Sequence, residues 1–251
     1  MNYDCLEKWI GYFPNPKEQK EKTIYSQWME IKDLQKSGYV ERKQVFDSAF
    51  FFVKNLYTQS ELSQFRFYHT WHGHIHDCAL EFQQCSEKFQ NPGVVFFALV
   101  LHDIFYDVKQ FDNEEKSAYF GYMLAMSMGF SENFARRASD LILLTKHQTE
   151  IDESSDPDAA MFLDIDMCIL GKGKKIFDEY TEGIHQEYLR CFGKSEFFSA
   201  RVLFLETLMK RKQIFHSEFF RQMYEKQARE NIAKAIKQYE EVLIAMSYDC
   251  C

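Results

Sequence analysis

Apolar residues recur at three- and four-residue spacing along almost the whole chain, the period of an α-helix, and the strict alternation of a strand is scarce. Within residues 17–36, Ile24, Trp28, Ile31 and Leu34 mark one face of a mostly polar stretch that runs up to Gly38. This predicts an amphipathic helix with a glycine stop. A second helix is predicted over 42–57. After Asn91-Pro92 the chain is apolar on every face from 94 to 101, which places a helix with Pro in its first turn at the centre of a bundle. Asp112-Asn-Glu-Glu115 has the form of a cap followed by first-turn acids, and predicts a helix to about Met128. Gly129 ends it, and Ser131 caps the next, which passes through Leu141 to about His147. Asp156-Pro157 opens another that carries Asp164 and Asp166 and stops near Gly171. Further helices are predicted over 174–191, 196–215 and 218–246, with Ser195 and Ser217 as caps for the last two. The fold class read from this pattern is all-α, a helical bundle.

Nothing marks a seam between domains. There are four prolines and no Gly/Ser-rich or low-complexity stretch, so 1–251 is expected to form one domain. Within it, 1–56 supplies N-terminal helices, 57–171 the candidate chemistry and 172–251 C-terminal helices. The 25 phenylalanines supply a heavy apolar payload for a core. A formal charge of −8 argues against nucleic acid as the main partner, because phosphate-backbone binding needs a basic surface. It leaves room for a small phosphate ester. Seven irregularly spaced cysteines form no Cys-x-x-Cys pair, which fits reduced thiols in a cytoplasmic protein better than a disulfide framework. No signal pattern opens the chain and no apolar run approaches roughly 18 residues, so a soluble, cytoplasmic protein without a membrane partner is expected. The Cys250-Cys251 pair reads as a frayed tail, a bare pair of end cysteines being weak evidence of lipidation.

The chemistry begins at His102-Asp103, which closes the apolar run 94–101. A dry, unpaired imidazole or carboxylate there would cost several kcal/mol, roughly, whereas a divalent cation turns both into ligands. Five of the eight histidines fall at 69, 72, 74, 76 and 102. On a helix His72 and His76 share a face and His74 points elsewhere. Arg66, Lys109 and Lys146 are the cations closest in sequence to these histidines.

Several motifs in order resemble one known family. They are Arg66-Phe-Tyr-His-Thr-Trp-His-Gly-His74, Leu101-His-Asp-Ile-Phe-Tyr-Asp107, Asp112-Asn-Glu-Glu-Lys-Ser-Ala118, Thr145-Lys-His147 and Leu163-Asp-Ile-Asp166-Met-Cys-Ile-Leu-Gly171. The likeness continues through Arg211, Ile214-Phe215, Phe219 and Glu225 to Ala228-Arg-Glu-Asn231, about residues 57–235 in all. Together they resemble the HD superfamily, most nearly its bacterial predicted metal-dependent phosphohydrolases. The resemblance implies one divalent ion held by His74, His102, Asp103 and Asp166, and a set of two imidazoles and two carboxylates suits Mn, Fe, Ni, Zn or Mg. In the related pattern the ligand histidine lies four residues after the Tyr-His histidine; here that position is Gly73, and His74 is at plus five. His74 is preferred because Ile75 and Cys78-Ala79 match the helical face expected after the ligand, and His72 is the competitor. Asp166 is preferred to Asp164, which is left to orient a ligand or cap its own helix.

The activity implied is hydrolysis of a small phosphorylated metabolite, perhaps a nucleotide, by water activated on the ion. By the same likeness His69 is the general acid. Arg66, Lys146 and His147 are candidates for the phosphate, and Asp107, four residues after Asp103 on a helical face, for orienting the water or a histidine. Two alternatives stand beside this reading. One is a non-catalytic module that binds metal or senses a nucleotide; the other is a di-iron oxygenase, whose pattern has two further histidines between the doublet and the late aspartate where this chain has only His147.

Overall fold

In the computed structural model, residues 16–31, 39–146 and 151–248 are described, and ten α-helices account for most of them with no strand among these residues. In chain order they are α1 (Pro16–Met29), α2 (Tyr39–Gln59), α3 (His76–Cys85), α4 (Pro92–Leu101), α5 (Asn113–Ser127), α6 (Glu132–Leu144), α7 (Pro157–Met167), α8 (Lys174–Tyr188), α9 (Lys194–Lys210) and α10 (Glu218–Tyr248). A single π-helical turn, Trp71–Ile75, leads into α3, and a 3-10 turn, Cys168–Gly171, follows α7.

The all-apolar segment is the central helix. Every residue of α4 from Val94 to Leu101 is buried, as a helix with no polar face requires. Around it Trp28 of α1 stacks on Phe97 at 5.5 Å, and Phe97 meets Phe130 and Phe134 edge-on. The polar ends of these large rings find partners: Trp28 Nε1 donates to Phe46 O at 3.1 Å and the Tyr57 hydroxyl to Val100 O at 3.0 Å.

Two polar ties place α7 against the rest. The Asp158 carboxylate, 4% exposed at the start of α7, accepts from Gln90 N and Asn91 N at 2.8 Å, binding α7 to the start of α4. At the other end the Asn231 amide on α10 donates to Leu170 O and Lys172 O at 2.9 and 2.8 Å. Gly171 makes that approach possible, since a Cβ there would lie 2.4 Å from Tyr224 Cβ and 2.8 Å from Tyr224 O.

Several predicted helix ends move. The first helix stops at Met29 rather than Lys36, and Leu34 and Gly38 lie outside the described residues. The second is longer, spanning Tyr39–Gln59. Ser131 caps through Phe134 N at 3.2 Å and Gly129 takes φ +82°, as expected. Asp112 makes no side-chain cap bond and pairs with Lys116 instead. Ser195 lies inside α9, whose cap position is Gly193, and α9 ends at Lys210, short of Phe215. Helix α8 ends at Tyr188 rather than Cys191, and α6 at Leu144, short of His147, which is itself outside the described residues.

Candidate metal centre

Three separated segments bring two imidazoles and two carboxylates together. His74 comes from the π turn, His102 and Asp103 from the turn just past α4, and Asp166 from the last turn of α7. His74 Nε2 lies 3.0 Å from His102 Nε2. Asp166 Oδ1 is 3.0 Å from His74 Nε2 and 3.4 Å from His102 Nε2. Asp103 Oδ2 is 3.0 Å from His102 Nε2 and 3.5 Å from His74 Nε2. Donor atoms sharing one ion at about 2.0–2.2 Å, at right to tetrahedral angles, stand roughly 2.9–3.5 Å apart, the spacing found here. His74, His102 and Asp103 form a group that can hold a metal ion, both imidazoles being buried.

Each ring is turned by a partner on its far nitrogen. His102 Nδ1 lies 2.8 Å from Leu99 O, so Nδ1 carries the proton and Nε2 offers its lone pair. His74 Nδ1 is 2.9 Å from the Tyr68 hydroxyl, the analogous outer support. Burial alone would lower the His102 pKa, but Asp103 and Asp166 outweigh it and push it well up. Burial would likewise raise both acids; the imidazoles, His102 foremost, instead hold them well below the usual carboxylate range. Both acids are thus held ionised beside the imidazoles, and a cation entering the cluster would compete with the proton on His102.

The π turn decides between the two competing histidines. Ile75 N bonds Thr70 O at 3.2 Å, an i to i+5 bond that takes up one residue more than an α-turn. Thr70 Oγ1 accepts from Gly73 N at 3.0 Å, and a Cβ on Gly73 would lie 2.7 Å from that oxygen, so glycine suits the turn. The wider turn carries His74 to the cluster. His72 is on another side, near Glu21, Lys17, Lys54 and Lys20, with its carbonyl accepting from Lys20 Nζ.

Other expected site residues take different roles. Arg66, 5% exposed, donates to Asp103 O and Ile104 O at 2.7 and 2.8 Å and lies over the Tyr57 ring. It braces the turn that carries Asp103, with two of its nitrogens committed to backbone carbonyls rather than held out for a substrate phosphate. Lys146 is ion-paired to Glu115 of α5 rather than held out for phosphate. The helix ends at Leu101, so Asp107 shares no helical face with Asp103. Its carboxylate accepts from Lys109 N at 3.0 Å and its backbone is bonded to Asn113, making it a turn residue. Asp164 neither orients a ligand nor caps its own helix: it accepts from His216 N, Ser217 N and Ser217 Oγ, pinning the start of α10.

His69 stands beside the cluster, its ring 5.6 Å from that of His74 and stacked 3.9 Å from Tyr106. Its partner, Glu187, was not anticipated from sequence. The Glu187 carboxylate, 2% exposed, lies 2.7 Å from His69 Nδ1 and accepts from the backbone N–H groups of Phe67, Tyr68 and His69 at 2.8–3.0 Å. Burial would raise its pKa, but the His69 imidazole and these bonds carry it down to about 2. Burial would lower the pKa of His69; Glu187, with Asp103 and Asp166, raises it instead. A signal was present: Phe177, Tyr180 and Ile184 define the buried face of α8, and Glu187 is the acid that continues it.

Compared with family models, curated proteins and solved structures, the chain gives no significant match. Its four free cysteines among the described residues, Cys78, Cys85, Cys168 and Cys191, form no disulfide there, and no described helix is long and apolar enough to cross a membrane.

Proposed function

We propose that the protein is a metal-dependent phosphohydrolase of the HD type, acting on a small phosphate ester. The observation that carries this reading is the convergence of His74, His102, Asp103 and Asp166 from three distant segments, with each imidazole Nε2 3.0–3.5 Å from the other and from both carboxylates. A divalent ion held there supplies polarisation of a phosphoryl oxygen and a lowered pKa for water. Hydrolysis joins a water oxygen to phosphorus and breaks the ester P–O bond; the water gives up a proton and the leaving alkoxide gains one. His69 is the donor for that alkoxide. Glu187 holds its Nδ1 and favours the imidazolium, leaving Nε2 to deliver the proton.

Phosphate release from generic monoesters, assayed with several divalent metals beside the Asp103→Ala variant, tests this. Release by the native chain and a fall of at least about a hundredfold in the variant are expected, since losing one ligand oxygen removes both metal and activity. Equal release from both proteins would overturn the reading.

One observation favours a second reading, a module that binds metal or nucleotide without turning it over: Arg66 and Lys146 already have partners. That reading predicts stoichiometric metal by elemental analysis, measurable nucleotide affinity and no phosphate release.

A further inference from the structure

A cavity of about 160 Å³ opens beside the cluster, with His74 and Asp166 in its lining. Its walls are apolar, formed by Leu80, Ile165, Ile169 and Ile176. Leu80 and Ile176 are 38% and 46% exposed, whereas Ile165 is fully buried, so the cavity runs from a solvent-facing rim toward the two ligand residues.

Its size favours small groups. At about 160 Å³ it is smaller than ordinary small-molecule pockets of about 300–1,000 Å³, which suits a short alkyl chain better than a nucleoside. Its charge selects as well. Lys172 is ion-paired to Glu81, and the Tyr224 hydroxyl bonds both, at 2.7 Å to Lys172 Nζ and 2.8 Å to Glu81. Asp77, also in the lining, lies 3.4 Å from His76 Nδ1, an imidazole that adds no charge when neutral, and pairs with no Lys or Arg among the described residues. The charged groups between rim and floor therefore sum to net negative, which disfavours a second anionic group on the ligand.

We infer that this cavity receives the alcohol portion of the substrate, and that the substrate class is a phosphomonoester of a short, uncharged, largely apolar alcohol rather than a nucleotide. The inference rests on the phosphohydrolase reading, but the cavity can be tested by binding alone. In the test, n-propyl phosphate, phosphoglycolate and adenosine 5′-monophosphate are compared as substrates of the metal-loaded chain, and n-propylphosphonate as a non-hydrolysable probe by calorimetry. The same measurements are made on Ile176→Trp, a rim substitution at an exposed position. For propyl phosphate, kcat/KM at least about tenfold above the other two esters is expected, the discrimination a pocket of fixed size can supply. Ile176→Trp should raise KM for propyl phosphate and weaken propylphosphonate binding about tenfold, with metal content and thermal midpoint unchanged.

Faster turnover of the nucleotide, or an Ile176→Trp variant with native propylphosphonate affinity, would overturn the cavity's role while leaving hydrolysis intact. If no ester is cleaved yet propylphosphonate binds and Ile176→Trp weakens it, the cavity is upheld and the catalytic reading fails. Absence of both cleavage and binding overturns both.

Discussion

Glu187 and His69 show how a pair of charges can be worth having in a nearly dry place. The Glu187 carboxyl sits at about 2 against an ordinary 4.5, a gap worth on the order of 3 kcal/mol. Because its folded value is depressed, its contribution is present above about pH 4.5 and fades as pH falls toward 2. His69 is shifted the other way, so its contribution is full below 6.5 and is lost as pH rises through its folded value. The dyad should therefore stabilise most between about pH 4.5 and 6.5. Urea unfolding of Glu187→Gln is expected to show a loss of about 2–3 kcal/mol at pH 6, narrowing steadily toward pH 2. A difference that stayed flat over that range would show that packing, not charge, holds the pair. His102-Asp103 was legible in the sequence as an expensive doublet at the end of an apolar run. Arg66 was legible only as a cation, because its use as a brace depends on where the carbonyls of Asp103 and Ile104 turn.

The π turn delivers His74, the 3-10 turn follows the helix that carries Asp166, and each turn depends on a glycine. Gly73→Ala would push a methyl group to within 2.7 Å of Thr70 Oγ1 and 3.3 Å of Tyr68 O. The turn can relax by rotating Thr70, so a modest stability loss of about 1–2 kcal/mol is expected. Metal affinity, measured by equilibrium dialysis, should drop about tenfold or more as His74 shifts, by analogy with loss of a ligand's support. An unchanged affinity would mean that the turn does not hold His74 in place. Gly171→Ala meets backbone rather than a rotatable side chain, at Tyr224 O 2.8 Å away, and should destabilise the fold by about 2–4 kcal/mol, read as a lower denaturant midpoint. Helix identities were legible because periodicity and caps such as Ser131 are local. Ends such as Ser195 and residue 36 were misplaced because a neighbouring residue can supply the cap position or the packing can stop early.

Across the molecule, buried side chains from α1 to α10 belong to one apolar cluster, and the candidate ligands come from positions 74, 102, 103 and 166. An ion tying these segments together binds the folded chain and not the open one. At a hundredfold excess over its dissociation constant it adds about 2.7 kcal/mol, a rise of roughly 5–10 °C in Tm for a chain of this size. Scanning calorimetry before and after chelation measures this directly. A midpoint indifferent to chelator and to added Mn²⁺ or Zn²⁺ would remove the ion from the account.

Taken by itself, the sequence determined the all-helical class, the buried status of the helix over 94–101 and the residues from which a metal centre could be assembled. The class, the buried helix and the His102-Asp103 doublet follow from local rules, namely the 3.6-residue period, capping chemistry and the penalty for a charge at an apolar edge, whereas His74 and Asp166 were implied by the resemblance of motifs. Tertiary structure alone gave Asp164 to the start of α10, bound Arg66 into a turn and joined Glu187 to His69 across 118 residues of chain. Each of those outcomes depends on which distant backbone groups arrive at the same point, and a partner's position in space is set by packing, not by its place in the chain.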